Sequence, residues 1–391
     1  MEPLSWGAIL AAILKQFLPV WIALAVTFAL SIAYKRKLGL YGRLFDSTVG
    51  MIGFALVMFW VFTALFTQMI VTHDTLSQIS QMKNKLPGTP IPDGSAWYLL
   101  GGDNLGRDVF SRMVDGSGVV IKIAPLATVF AFMVGITLGL PAGYYGGRLD
   151  MALSFLANLV LAFPVILLFY LLVTPEIVQT GLPQYMAMVL FLLPILFLVL
   201  LLNSRFYVKP NFRNVVVALV LVFGGLAYLG LISEAETKIN ILPQALDLIH
   251  VPANILIVFV SVVFVNAPTV FRIVRGLVLD IKTRDYISAA QTRGERPWYI
   301  MLWEILPNAR GPLIVDFCLR IGYTTILLGT LGFFGLGLSP ESPDWGSTIN
   351  AGRKLLVIAP HPAFVPALAL MSLVLGLNLL ADGLREESLK D

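Results

Sequence analysis

The sequence predicts an all-α fold, a polytopic transmembrane helical bundle, and three observations carry that prediction. Of 391 residues, 58% are hydrophobic and only 13% charged, where a soluble domain carries about 25% charged residues. The apolar residues fall in long runs of roughly 20, the length a helix needs to cross a hydrocarbon core about 30 Å thick. Nothing resembles the short alternating strands of a membrane barrel, the one other architecture that satisfies its backbone in lipid.

Taken in order, residues 1–16 are too short and broken to span and are expected at the interface. Spans are predicted at 17–34, 48–71, 121–142, 151–173, 184–203, 214–233, 251–276, 312–338 and 359–381. The first lacks a small-residue cleavage site, so it reads as a retained span and not a signal peptide. The basic stretches "YKRKLGLYGR" (34–43) and "NSRFYVKPNFR" (203–213), with the polar segment 272–311, read as cytoplasmic. Threading the spans through those loops places the N-terminus outside and the C-terminus inside, with most of the 27 Lys and Arg on the cytoplasmic side. Arg107, Arg112 and Lys122 are the main exceptions. Of the external segments (72–120, 174–183, 234–250 and 339–358), the first contains "LPGTPIPDG" (86–94), whose Pro and Gly residues mark an irregular, exposed loop. None is long enough for a separate globular domain. The net charge of +4 comes without a basic block, so no nucleic-acid partner is expected. Cys318 is the lone cysteine, which rules out an intrachain disulfide.

One polar stretch between two spans is too patterned for a slack loop: "RDYISAAQTRGERPWYIMLWEILPN" (284–308). Residues 284–293 suit a helix, with Tyr286 and Ile287 for bulk and the small pair Ala289 and Ala290. Gly294 supplies the left-handed geometry that ends it, and Pro297 suits the first turn of a second helix. That helix runs until Pro307, which is expected to stop or kink it at Leu306. On pattern alone this is a helix–turn–helix lever, whose alanine pair leaves a shallow docking surface, or a surface helix of no special role.

Here the sequence resembles the permeases of ABC importers, whose cytoplasmic coupling motif runs EAA-x3-G-x9-I-x-LP. Ala289, Ala290, Gly294, Leu306 and Pro307 fall on its positions, while Ser288 replaces its Glu and Glu304 its Ile. "GGDNLGRDVFSR" (101–112) is similar to the GTDxxGRDxxSR signature of the C-type permease of dipeptide and oligopeptide importers, with Gly102 in place of Thr. "GYYGGRLD" (143–150), Pro164, "RIVRG" (272–276), "FFGLG" (333–337), "DWG" (344–346) and "DGLRE" (382–386) follow in family order. The departures are Phe155 and Asn158 for the family's Arg and Asp, Leu328 for its Glu, and Ala381 for its Gly. Residues 1–47 add a front span and basic loop, and about 175–250 insert two spans into a permease domain over 48–391.

The resemblance implies a six-span type I importer core plus about three extra spans, in a bacterial or archaeal inner membrane, with the C-terminus cytoplasmic. It implies a pore shared with a B-type permease, two soluble ATPases that hold ATP and Mg, and a solute-binding protein outside. The implied cargo is peptides or peptide-like solutes, with a metal such as nickel or another small solute as the alternative. Tyr286, Ala289, Ala290, Gly294, Pro297, Leu306 and Pro307 would then couple to an ATPase. Gly106, Arg107 and Asp108 would shape the external mouth or meet the binding protein, unless Asp103 or Asn104 simply caps a short interfacial helix. The extra spans would be peripheral.

The chain itself is not expected to be an enzyme or to bind a cofactor. It has no G-x4-G-K-[ST] step, "GSTINAGRK" (346–354) being a near miss, and no metal-ligand pattern. His73, His250 and His361 all fall in predicted external regions and read as ordinary loop residues or contacts to a metal cargo. Asp316 and Arg320, four apart within one span, are pore or packing candidates. The glycines of "GITLGLPAG" (135–143) and "GTLGFFGLG" (329–337) are expected to permit close helix packing. An ion-coupled secondary transporter would need intramembrane ion ligands, and an intramembrane enzyme a convergent catalytic set; the sequence offers neither.

Overall fold

The computed structural model describes residues 2–232, 253–336 and 341–388. The chain opens with α1 (Trp6–Gln16), α2 (Leu18–Tyr34) and α3 (Thr48–Leu65). After a long connection come α4 (Val109–Tyr145), α5 (Gly147–Ala162), α6 (Val165–Val173), α7 (Leu182–Arg205) and α8 (Pro210–Ile232). The remainder holds α9 (Ala253–Ile281), α10 (Asp285–Thr292), α11 (Arg310–Phe333), α12 (Trp345–Arg353) and α13 (His361–Ser388). Eight of these helices are long and apolar enough to cross a membrane, and α5 with α6 forms a ninth candidate bent by 81°. This is a multi-pass membrane protein. The predicted loop 234–250, with His250, and Gly337 of "FFGLG" lie outside the described residues.

The span expected at 151–173 is broken by the bend between α5 and α6. Phe163, ahead of Pro164, takes an extended backbone (φ −75°, ψ 132°). The proline ring disfavours α geometry in the residue before it, and Pro itself has no N–H to continue the helix. Helix α4 also exceeds its predicted span, starting at Val109 instead of 121. Its first turns carry Arg112 and Asp115, which a search for apolar runs excludes.

The chain divides into two compact units, residues 1–125 with 318–391 and residues 126–317. In the first, α3 packs against α13 through facing glycines. A Cβ on Gly53 would sit 2.3 Å from the backbone nitrogen of Leu380, and one on Gly383 only 2.4 Å from the Cα of Gly50. Lipid supplies no hydrophobic drive between helices, so this backbone proximity and its dispersion contacts hold the pair. Trp60 adds a hydrogen bond from its indole nitrogen to Ser372 Oγ (2.9 Å) and an edge contact with the Trp345 ring at 5.0 Å.

In the second unit the predicted small-residue seam is present. Gly135, Gly139 and Gly143 of α4 recur every four residues and face Val270, Val274 and Val278 of α9. Added Cβ atoms would lie 2.6, 2.9 and 2.7 Å from the Cβ atoms of those valines. Beside the seam, the rings of Phe130, Phe191 and Phe259 meet edge-on with centroids 5.3 to 5.6 Å apart, joining α4, α7 and α9. Polar locks close it: Asp150 pairs with Arg275, Arg272 donates to Asn158 Oδ1 at 2.6 Å, and Lys282 Nζ donates to the carbonyl of Gly143 at 2.7 Å. A lysine at the last carbonyls of a helix both satisfies them and complements the negative end of the dipole. Two of the family-like motifs, "GGRLD" and "RIVRG", are thus the two halves of one contact.

Candidate functional site

The segment 284–308 is a helix, a tight turn and a second helical stretch, as its punctuation predicts. Helix α10 ends in the six-residue pattern that a left-handed glycine allows. The Gly294 amide donates to Gln291 O (2.9 Å), the Glu295 amide donates to Ala290 O (3.2 Å), and Gly294 has φ +78°. This arrangement satisfies carbonyls that the helix end would otherwise leave open. Pro297 stands in the first turn of the next stretch, where its missing N–H costs nothing.

The second stretch differs from expectation at its centre and its end. Residues Ile300–Ile305 form a π-helix, and Leu306–Asn308 then resume α geometry. Where a stop or kink is expected, at Leu306, the chain does not stop but changes helix type. The wider π turn takes up the break in hydrogen bonding that a proline would otherwise force on an α ladder. The π turn also points Ile300, Met301, Leu302 and Ile305 together into a core with Ile287, Ala290 and Ala309. Arg293, at the end of α10, reaches across to Glu304 (3.1 Å) and braces the two halves.

The site residues therefore sort into two faces. Ala290 is completely buried and Leu306, half-buried, packs against the same core, so both help to seat the segment. Ala289, Gly294, Pro297 and Pro307 are exposed, as is Tyr286 at 40%. On α10 itself the exposed Asp285, Ser288, Ala289 and Thr292 recur at helical spacing and make a small polar face beside the Tyr286 ring. The alanine pair, read together as one shallow surface, is divided by the helical turn: consecutive side chains point about 100° apart.

The stretch around Gly106, Arg107 and Asp108 lies in the other unit and does something different. Arg107 and Asp108 are buried, so their side chains are held within the turn and not presented at a surface. Asp103 Oδ1 accepts the amides of Leu105 (2.8 Å) and Arg107 (2.9 Å), closing the turn at Gly106, while its other oxygen accepts Arg107 Nε at 2.6 Å. Asp108, not Asp103 or Asn104, caps the helix. Its carboxylate accepts the amides of Phe110 and Ser111, the Ser111 hydroxyl (2.6 Å) and the Thr72 hydroxyl (3.0 Å). The helix so capped is the long α4, and the charges stay inside, not in water.

The loop around 86–94 is largely irregular, as expected, with Leu86, Pro92 and Asp93 exposed, but Gly88 and Ile91 are buried and one short strand pair runs through it. Thr89–Pro90 pairs antiparallel with Trp97–Tyr98. Met82, Ile91 and Tyr98 form a small core. Tyr98 donates to the Gly106 carbonyl (3.2 Å), and burial, with Asp108 and Asp103 nearby, pushes its phenol up to about 12. The hydroxyl therefore stays protonated as a donor. A Cβ on Gly102 would fall 2.0 Å from the Met82 carbonyl, so the position that departs from the family pattern has no space for threonine.

Sequence reasoning met Arg112 as the last residue of "GGDNLGRDVFSR" and as a charge on the unexpected side, and gave it no contact. It is 1% exposed and donates to the carbonyls of Thr75 (3.2 Å), Glu341 (3.3 Å) and Ser342 (2.8 Å) and to Thr348 Oγ1 (3.3 Å). Trp345 of "DWG" donates to the Met113 carbonyl at 2.9 Å. The two motifs, more than 200 residues apart, thus share one joint. The sequence signal was that both stretches stand in family-like motifs; that they touch was not legible. Asp344 caps α12 through the Ser347 amide (2.9 Å). Burial raises its carboxyl above the ordinary value, against the opposing pull of Ser347 and Arg112. Asp316 and Arg320 lie on α11, half-buried and buried respectively. His73 shares the Asp108 cap through Nδ1 (3.3 Å), and His361 approaches the Gly102 carbonyl (3.3 Å). Among the described residues no three His, Cys, Asp or Glu side chains are grouped as a metal site.

Comparison with known proteins adds an independent line. A family model described as "Binding-protein-dependent transport system inner membrane component" matches residues 135–386. A glutathione transport system permease protein of Pectobacterium atrosepticum is 30% identical over 295 residues, 75% of this chain and 72% of the relative. Dipeptide transport system permease proteins are similar as well. That of Alkalihalophilus pseudofirmus is 25% identical over 346 residues, 88% of this chain and 87% of the relative. That of Haemophilus influenzae is 26% identical over 301 residues, 77% of each chain.

Proposed function

We propose, from the premise that this chain belongs to the family of binding-protein-dependent transport system inner membrane components, that it is the transmembrane subunit of an ABC importer for peptides or peptide-like solutes. The similar permeases named for dipeptides and glutathione support that class of cargo. The observation that carries the mechanism is the two-faced segment 284–308. Its inner face is sealed into the core and its outer face, around Tyr286 and Ala289, is open.

In this reading α10 lies on the cytoplasmic side and docks in a groove of a separate ATPase, one of a pair that holds ATP and Mg. A B-type permease completes the pore, and a solute-binding protein delivers cargo to the other side, where the Gly106–Arg112 joint stiffens the mouth. Closure of the ATPases pushes α10. The Arg293–Glu304 bridge and the shared core make the segment move as one piece, and the hydrogen bonds from Lys282 to Gly143 and from Gln291 to Tyr144 pass that motion to α4. Work is delivered only if the ATPase binds α10 differently in its two states.

The test is purification of the chain with its partner subunits, followed by uptake into proteoliposomes of a labelled dipeptide and of labelled glutathione. Uptake of at least one, dependent on Mg-ATP and on the binding protein, is the expected result. Uptake driven by an ion gradient without ATP would sink the proposal.

A further inference from the structure

The hairpin α7–α8 looks peripheral as sequence, yet the turn at its end is fastened to the 296–303 part of the segment just described. Three side chains of the hairpin make the joint. Ser204, buried, accepts a hydrogen bond from Trp303 Nε1 at 2.9 Å. Arg205 lies over the same indole, 4.7 Å from the ring centroid. Tyr207 takes the Arg296 guanidinium over its ring at 3.9 Å and accepts a 2.6 Å hydrogen bond from it at the hydroxyl. Above the joint, Phe197, Leu200 and Leu201 of α7 pack against the core that holds Ile300 and Ile305. Phe206 and Phe212 meet edge-on at 4.8 Å and close the turn.

A span present only to contact lipid needs apolar packing and nothing more. This one ends in two arginine–aromatic contacts of opposite sense: an arginine of the hairpin on an aromatic of the segment, and an arginine of the segment on an aromatic of the hairpin. Guanidinium stacking of this kind is directional and keeps both partners in register. Arg296 is also the residue that opens the second half of the segment, with an extended backbone before Pro297. Holding Arg296 fixes where that half begins.

We infer that the inserted hairpin is a moving part of the energy-transmission machinery, clamped to the coupling segment by Ser204, Arg205 and Tyr207 so that the two shift together when nucleotide binds. The inference rests on the coupling role proposed for 284–308. Ser204, Arg205 and Tyr207 are positioning residues and act through Arg296 and Trp303.

The experiment is hydrogen–deuterium exchange on the whole transporter, assembled with its ATPases and partner permease, with ADP or with Mg-ATP. No cargo is required. In the unaltered protein, Mg-ATP should change exchange both in 285–292 and in 201–209. Tyr207→Ala and Arg296→Ala should each abolish the response in 201–209 while that in 285–292 persists. Tyr207→Phe, which keeps the stack and loses only the hydroxyl, should retain much of it. A purely structural role would alter exchange equally in both nucleotides and leave the difference unmoved. A response at 285–292 with none at 201–209 in the unaltered protein overturns the clamp and spares the coupling reading, as does a response at 201–209 that survives both alanine variants. No response at either segment overturns the coupling reading, and the clamp falls with it.

Discussion

Gly294 shows how much one residue settles. Its φ of +78° belongs to the left-handed region, and a side chain there would meet no neighbour within 4 Å. A substitution is therefore opposed by backbone strain alone, about 1–2 kcal/mol for an ordinary L-residue and more for a β-branched one. Gly294→Val is expected to assemble with the ATPases less well, or to hydrolyse ATP without transport, whereas Gly294→Asn stays close to normal because Asn tolerates this geometry. Equal transport per ATP in the valine variant would remove the turn from the mechanism. Asp344 is a second case. Its folded carboxyl sits above the ordinary value of 3.8, so the native state holds that proton more tightly than the unfolded chain does. Its contribution to stability is present below the ordinary carboxylate value and is lost as pH rises through the raised one. Asp344→Asn keeps an oxygen for the Ser347 amide and cannot ionise. Melting curves in detergent should show the variant above the parent at pH 8, with the gap closing towards acid; a gap that widens towards acid contradicts the sign.

Among the elements, α4 and α9 show what packs these helices and what the sequence alone could read of it. The spacing of Gly135, Gly139 and Gly143 was legible as a small-residue seam, but not the identity of the opposite wall. A methyl at Gly139 would lie 2.9 Å from the Val274 Cβ and 3.0 Å from the Phe271 carbonyl, while one at Gly118 of the same helix meets nothing within 4 Å. Gly139→Ala should thus destabilise by about 1–3 kcal/mol through overpacking, and Gly118→Ala should be neutral or better, since alanine is the stronger helix former. Thermal unfolding of both variants checks this, and equal melting temperatures would refute the seam. The break between α5 and α6 was half legible. Pro164 was visible, but whether a proline kinks a span or splits it into two segments depends on what surrounds it.

For the whole molecule, the order of spans and basic loops carries the topology, and the inserted pair tests it. A hairpin of two spans leaves and returns on one side. Removal of about 180–245 should therefore leave the C-terminus on its original side, as read by accessibility of a terminal tag. A C-terminus that changes sides would contradict the pairing of α7 with α8. The same deletion removes Ser204, Arg205 and Tyr207, so preserved topology with impaired coupling is the expected combination. Sequence by itself determined the membrane class, the helical architecture, the turn at Gly294 and the family, because each rests on local rules: run length, helix period, left-handed glycine, ordered motifs. Only the tertiary structure decided that Arg107 and Asp108 face inward, that Ala290 is sealed while Ala289 is open, that Arg112 meets "DWG", and that the α7–α8 hairpin clasps Arg296 and Trp303. Those outcomes depend on which distant residues fill the space beside a side chain, and no local pattern in a single chain encodes that neighbour.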